Sequence, residues 1–257
     1  MNNRERPIGF FDSGVGGISV LKESLKVLPN EDFVYFGDSL NAPYGTKNVN
    51  EVRKLTFKAV DFLLEKGVKV VVIACNTATS AAIDELRNRY KDIPIIGIEP
   101  ALKPAVEISR GKSVIIMATP MTLTEKKFDN LMKLYNKEVD IIPLPCAGLV
   151  ELIEKGIIEG DEINKYLKGK LKEFSHLDVA AIVLGCTHYP FIKKELIKIV
   201  GEKTIIIDGS IGTVNQLKRQ LNRNNLLNEK ETKGIVTIYS SSIDDNTIDL
   251  SYKLLKL

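Results

Sequence analysis

Cys75 and Cys186 occupy matching places in two copies of one pattern. Val70-Val71-Val72-Ile73-Ala74 runs into Cys75-Asn76-Thr77-Ala78, and Ala181-Ile182-Val183-Leu184-Gly185 runs into Cys186-Thr187-His188-Tyr189-Pro190. Each copy is an apolar branched run, a small residue, a thiol, and then groups that can hydrogen-bond a ligand. Free thiols of this kind act as nucleophiles, acid/base groups or metal ligands, or simply pack. A single buried cysteine is usually a small apolar residue; the repetition of the whole pattern favours chemistry. A thiol at the start of a helix is expected to have a lowered pKa, because the helix end stabilises the thiolate.

Other groups gather at similar places. Asp12-Ser13 follows a first apolar run, where either residue could also cap a helix. Gly14, Gly16 and Gly17 invite comparison with a dinucleotide-binding fingerprint, and Asp38 stands where a ribose-binding acid would lie, but Ser19 replaces the last glycine. His188 stands beside Cys186 and Thr187, whereas His176, the other of two histidines, sits among polar residues and reads as surface. A zinc site from Cys75, Cys146, Cys186 and His188 lacks the close ligand spacing such sites show. There is no P-loop, and nothing marks a pyridoxal lysine.

These groups need strand ends to carry them. Apolar runs at Pro7–Phe11, 33–36, 68–74 and 93–98 alternate with helical patterns, and the alternation restarts with runs at 114–118, 139–144, 179–184 and 204–207. A last strand over 235–239 and a helix close the chain. Asn50 and Asp161 are expected to cap helices. Strand–helix alternation means parallel sheets with helices on both faces, and such sheets bind ligands at the carboxyl ends of their strands. The restart predicts two similar α/β domains, residues 1–98 plus 208–257 and residues 99–207, with crossings at Glu99-Pro100 and Asp208-Gly209. The two cysteine tips would then face each other across a cleft.

Composition fits this picture. The chain has 257 residues, 44% of them hydrophobic, and a net charge of +3 from 36 basic and 33 acidic side chains. That balance points to no polyanionic partner, so neither nucleic acid nor a membrane is expected. No run is long enough to span a membrane, and Met1–Arg6 leads into a strand without the apolar core of a signal peptide. A cytoplasmic protein with reduced thiols is expected.

The stretches Phe11-Asp12-Ser13-Gly14-Val15-Gly16-Gly17, Pro43-Tyr44-Gly45, Ala74-Cys75-Asn76-Thr77-Ala78 and Leu184-Gly185-Cys186-Thr187-His188-Tyr189-Pro190 occur in this order. Through them the chain resembles the glutamate racemases of the cofactor-independent aspartate/glutamate racemase family, over essentially its whole length. The resemblance implies an α/β fold of two similar domains, with mainly parallel sheets flanked by helices and the active site in the cleft between them. It implies Cys75 and Cys186 as the catalytic acid/bases, Asp12 and His188 as their helpers, and Glu151 as an acid supporting the histidine side. By motif position Asp12, Ser13, Tyr44, Gly45, Asn76, Thr77, Thr187 and His188 would contact the substrate, and Thr119 and Thr122 match a threonine-containing loop of the family. Ala147 stands where relatives commonly have proline, and Cys146 reads as a buried thiol. The resemblance further implies glutamate as substrate, no cofactor or metal, a homodimer, and supply of D-glutamate for peptidoglycan.

The residues support that chemistry in their own right. Inverting an α-carbon needs a base on one face and an acid on the other, and two thiols on opposed domains could supply them. Hydroxyls, amides and helix-start N–H groups could hold the carboxylate and absorb growing charge. The other readings are an aspartate racemase-like enzyme, a Rossmann-type nucleotide-binding protein and a two-lobed solute-binding module.

Overall fold

A computed structural model describes residues 2–135, 139–243 and 245–257. Met1, at the head of the N-terminal stretch, lies outside them. Among the described residues nine strands form two sheets. The first holds β1 (Ile8–Asp12), β2 (Phe33–Gly37), β3 (Val70–Ile73), β4 (Ile95–Gly97) and β9 (Val236–Ser240), in the order β4-β3-β1-β2-β9. The second holds β5 (Ser113–Ala118), β6 (Ile141–Pro145), β7 (Val179–Leu184) and β8 (Ile205–Asp208), in the order β6-β5-β7-β8. Every pairing is parallel.

Both sheets are covered on both faces, which is why their central strands read as continuous apolar runs. The alternation of side chains is nevertheless sharp. In β3, Val70 and Val72 pack into one core with Ile8 and Phe10 of β1, while Val71 and Ile73 pack into another with Phe11. In β7, Ile182 and Leu184 face a third core with Ile115 and Met117, and Ala181 and Val183 face a fourth with Val114 and Ile116. Full burial of each branched side chain contributes roughly 1.5–3 kcal/mol. Cys75 extends the β3 alternation into the second core, and Cys186 extends the β7 alternation into the third. The strand register therefore fixes where each thiol points.

Element ends differ from the sequence reading in small ways. Asn48, not Asn50, caps the helix Val49–Glu65, accepting from the Glu51 N–H. Gly160 stands at the cap before Asp161. No helix among the described residues is long and apolar enough to cross a membrane.

Candidate active site

Strand order selects the place where chemistry can gather. In the first sheet β1 leads outward to β2, and the chain then returns past β1 to β3. In the second, β5 leads outward to β6 and returns past β5 to β7. The crevices at the carboxyl ends of β1/β3 and β5/β7 are thus the topological switch points, where open α/β sheets bind ligands. Asp12 ends β1, Cys75 lies just beyond β3, Thr119 follows β5 and Cys186 lies just beyond β7.

On the first sheet Cys75 caps the helix Asn76–Arg89, its Sγ accepting from the Ala78 N–H at 3.4 Å. The Ser13 hydroxyl lies 3.4 Å from the same sulfur. Despite that helix start, the Cys75 thiol is pushed up to about 12, first by burial and then by the nearby Asp12 charge, against the pull of Ser13 and Ala78. The expected lowering is overturned here because desolvation of a buried thiolate outweighs the helix end. Asp12 is fully buried; its Oδ1 accepts from the Gly14 N–H at 2.9 Å and its Oδ2 from the Thr187 hydroxyl at 2.8 Å. Burial raises the Asp12 carboxyl above its usual range, while His188, Thr187 and Gly14 pull it down.

The second thiol is built differently. Cys186 precedes a 3-10 turn, Tyr189–Ile192, and only then the α-helix Lys193–Val200, so it caps no α-helix. A tight turn thus stands where the first copy of the pattern has its helix start. Its support is an imidazole: Cys186 Sγ lies 3.7 Å from His188 Nδ1, and His188 Nε2 donates to Glu154 Oε1 at 2.5 Å. Burial opposes a charge on His188, but its bonds to Cys186 and Glu154 prevail and hold its pKa well above the usual histidine range.

The acid behind His188 is Glu154, one helical turn beyond the expected Glu151. Both lie on the short helix Leu149–Glu154, three residues apart and so on neighbouring parts of one face. Only the last turn comes level with the imidazole. Glu154 Oε1 also accepts from the Val15 N–H at 2.8 Å, which joins the glycine-rich turn of the first sheet to the histidine of the second. That contact explains the glycines. A Cβ on Gly14 would stand 1.9 Å from Glu154 Oε1, and one on Gly16 would stand 2.3 Å from His188 Nδ1.

Ser13, Tyr44, Gly45, Cys75, Asn76, Thr77, Thr119, Cys186, Thr187 and His188 line one closed cavity of about 10 Å³. Asp12, Thr122 and Glu151 do not line it. Asp12 stands behind Thr187, and Thr122 braces Thr77 and Thr119, with hydroxyl separations of 2.9–3.1 Å among the three. The Tyr44 hydroxyl is turned to Asp38, donating to its Oδ2 at 2.6 Å, and Asn41 donates to both Asp38 oxygens. Asp38 thus holds a site residue instead of a ribose. The lining carries hydroxyls, an amide and backbone N–H groups but no lysine or arginine. Asn76 Oδ1 is buried in it without a partner, an acceptor waiting for a donor. Among the described residues no three histidine, cysteine, aspartate or glutamate side chains converge as a metal cage. A volume of this size holds one water at most, so any larger ligand requires the two walls to part.

The sequence reading missed Glu154 and gave Asp38 a different ligand. Glu154 carried a signal, an acid at the end of a short helix one turn from the chosen one, but sequence alone does not rank the two.

The chain is similar to known racemases over nearly its whole length. The Asp/Glu/Hydantoin racemase family matches residues 18–217 of the 257. A glutamate racemase of Clostridium novyi is 62% identical over 99% of each chain, and one of Clostridium botulinum is 62% identical over the full length of both. The crystal structure of the Francisella tularensis glutamate racemase in complex with D-glutamate superposes with a TM-score of 0.85 at 32% identity, covering 99% of this chain and 95% of that one. A match of this extent, on a chain whose two thiols meet at paired switch points, makes this protein an amino-acid racemase of the Asp/Glu/hydantoin racemase family.

Proposed function

We propose that the chain interconverts L- and D-glutamate without a cofactor, by passing protons between the α-carbon and two thiols. The observation that carries the reading is that Cys75 and Cys186 come from the switch points of different sheets and line one cavity. One thiolate takes the α-proton, the C–H electron pair moves into the carboxylate, and the opposite thiol delivers its proton to the other face. The first sulfur ends as a thiol and the second as a thiolate, so the reverse direction uses the same groups with roles exchanged. Cys75 is assigned to D-glutamate and Cys186 to L-glutamate.

Asp12 serves the Cys75 side and His188, backed by Glu154, serves the Cys186 side. Ser13, Asn76, Thr77, Thr119 and Thr187, with the turn at Tyr44–Gly45, hold the substrate through neutral donors. Neutral donors tolerate the charge that grows on the carboxylate while leaving the thiols free to change state. The two domains, 1–98 plus 208–257 and 99–207, act as the jaws. In support, β1–β4 and β9 share one sheet and β5–β8 the other, and a Cβ on Gly209 would stand 2.3 Å from the Glu99 carbonyl, where the crossings touch. With the family reading go a homodimer, a cytoplasmic setting and a role in supplying D-glutamate for peptidoglycan.

Circular dichroism of pure L- and of pure D-glutamate tests the reading. Each should decay to zero signal with no added cofactor, aspartate should react far more slowly, and thiol alkylation should abolish the change while a chelator leaves it intact. Faster turnover of aspartate, or loss of activity in chelator restored by zinc, would overturn it.

A further inference from the structure

Ser19 is where the dinucleotide fingerprint fails, and its side chain does something a glycine could not. It lies in the first turn of the helix Ile18–Val27, on the first sheet's side, and is buried. Its hydroxyl stands 2.8 Å from two carbonyl oxygens, Gly16 O in its own turn and Thr187 O across the cleft. A serine hydroxyl has one proton to give. Gly16 O already accepts from the Ser19 backbone N–H at 3.0 Å, so the proton is best used on Thr187.

Thr187 is the residue between the second thiol and its imidazole. Its side chain is held from the first sheet by Asp12, and its carbonyl is held from the same sheet by Ser19. The post that Ser19 stands on is rigid, since Ile18, Val20 and Leu21 around it are fully buried. No regular α-helix fixes the turn from Cys186 to His188, so an outside anchor has more to do here than at Cys75.

We infer that Ser19 is a positioning residue for the second acid/base: across the closed cleft its hydroxyl fixes the Thr187 carbonyl and so the spacing of Cys186 Sγ from His188. It does not line the cavity. The inference rests on the two-thiol reading above.

The test uses the two enantiomers of one diastereomer, threo-3-chloroglutamate, from which chloride leaves after a single deprotonation, so each thiol is read alone. Cys75→Ser and Cys186→Ser first establish which enantiomer each thiol serves. Ser19→Ala should then lower kcat for elimination from the enantiomer that Cys186→Ser loses, by roughly tenfold for one lost buried hydrogen bond, with KM little changed. Elimination from the other enantiomer should stay within twofold of wild type, on the order of experimental scatter. Ser19→Thr, which keeps the hydroxyl, should restore the rate. Should Ser19→Ala fail to fold, Ser19→Thr against Ser19→Val, alike in shape and different in the hydroxyl, carries the same comparison. Equal loss on both enantiomers, or none, with the two cysteine variants split as expected, overturns the role of Ser19 alone. Cysteine variants that do not split the enantiomers overturn the two-thiol reading itself and the inference with it.

Discussion

Cys75 and Cys186 each continue the alternation of a central parallel strand, one beyond β3 and the other beyond β7. Beyond the strands the two halves diverge. The first thiol caps a 14-residue helix and has a hydroxyl and a buried carboxylate beside it. The second is followed by a 3-10 turn and has an imidazole whose other nitrogen is held by Glu154. A repeated scaffold thus delivers two equivalent thiols, while the proton equipment around them is unlike. On the first side burial and the Asp12 charge push the thiol up; on the second, bonds to Cys186 and Glu154 push the neighbouring imidazole up. The scaffold sets position, and the loops set acid–base character.

The comparison breaks most visibly at the sulfurs. Cys75→Ser and Cys186→Ser should each reduce racemisation by roughly 10²–10⁴-fold or more, the usual worth of a positioned acid or base. They should differ in which enantiomer of a β-halogenated glutamate still reacts. Loss of the same enantiomer in both variants would remove the distinction between the halves.

A smaller effect should separate the two candidate acids on the helix Leu149–Glu154. Glu154→Gln removes the carboxyl group that holds the buried imidazole and should lower racemisation by roughly ten- to a hundredfold, at the low end for a group that helps another. Glu151→Gln should leave the rate near wild type. Proton NMR of His188 supplies the sign. In wild type the ring should remain protonated through neutral pH, and in Glu154→Gln it should titrate at lower pH. Because the folded pKa is raised, the stability His188 contributes is fully present below its unfolded pKa of about 6.5 and is lost as pH rises through the folded value. Denaturant unfolding between neutral and alkaline pH should show that decline in wild type and a weaker one in Glu154→Gln. Identical histidine titrations in the two proteins would detach Glu154 from the second thiol.

Much of this arrangement was legible in the amino-acid order. The branched runs at 70–74 and 181–185, each closed by a thiol, announce buried parallel strands with reactive ends. What sequence could not rank were effects set by the third dimension. Choosing Glu154 over Glu151 depends on which turn of a six-residue helix stands level with His188. The raised pKa of Cys75 depends on burial, which outweighs a helix end that is itself easy to read. Ser19 looked like a defect in a glycine motif because its partner lies 168 residues away in sequence.

A further effect is expected at Asn76, on the Cys75 side, and it falls on binding and not on turnover. Its buried Oδ1 has no protein partner, so Asn76→Ala should leave the melting temperature unchanged or slightly higher. Substrate binding should weaken by roughly 1.5–3 kcal/mol, as for a hydrogen bond to a charged ligand, read as a raised KM or inhibitor Kd. Unchanged binding would take Asn76 out of the site and leave Ser13 and Thr77 to define that wall.

The most direct measurement is early deuterium incorporation when a single enantiomer of glutamate is turned over in D₂O. Thiol protons exchange readily with water, and in the two-thiol account one thiol serves each face, so the newly formed enantiomer should carry deuterium at the α-carbon while the remaining starting pool stays almost unlabelled. The same pattern should appear from L- and from D-glutamate. Equal labelling of both pools at early times, from either direction, would mean that one base serves both faces and would contradict the two-thiol account.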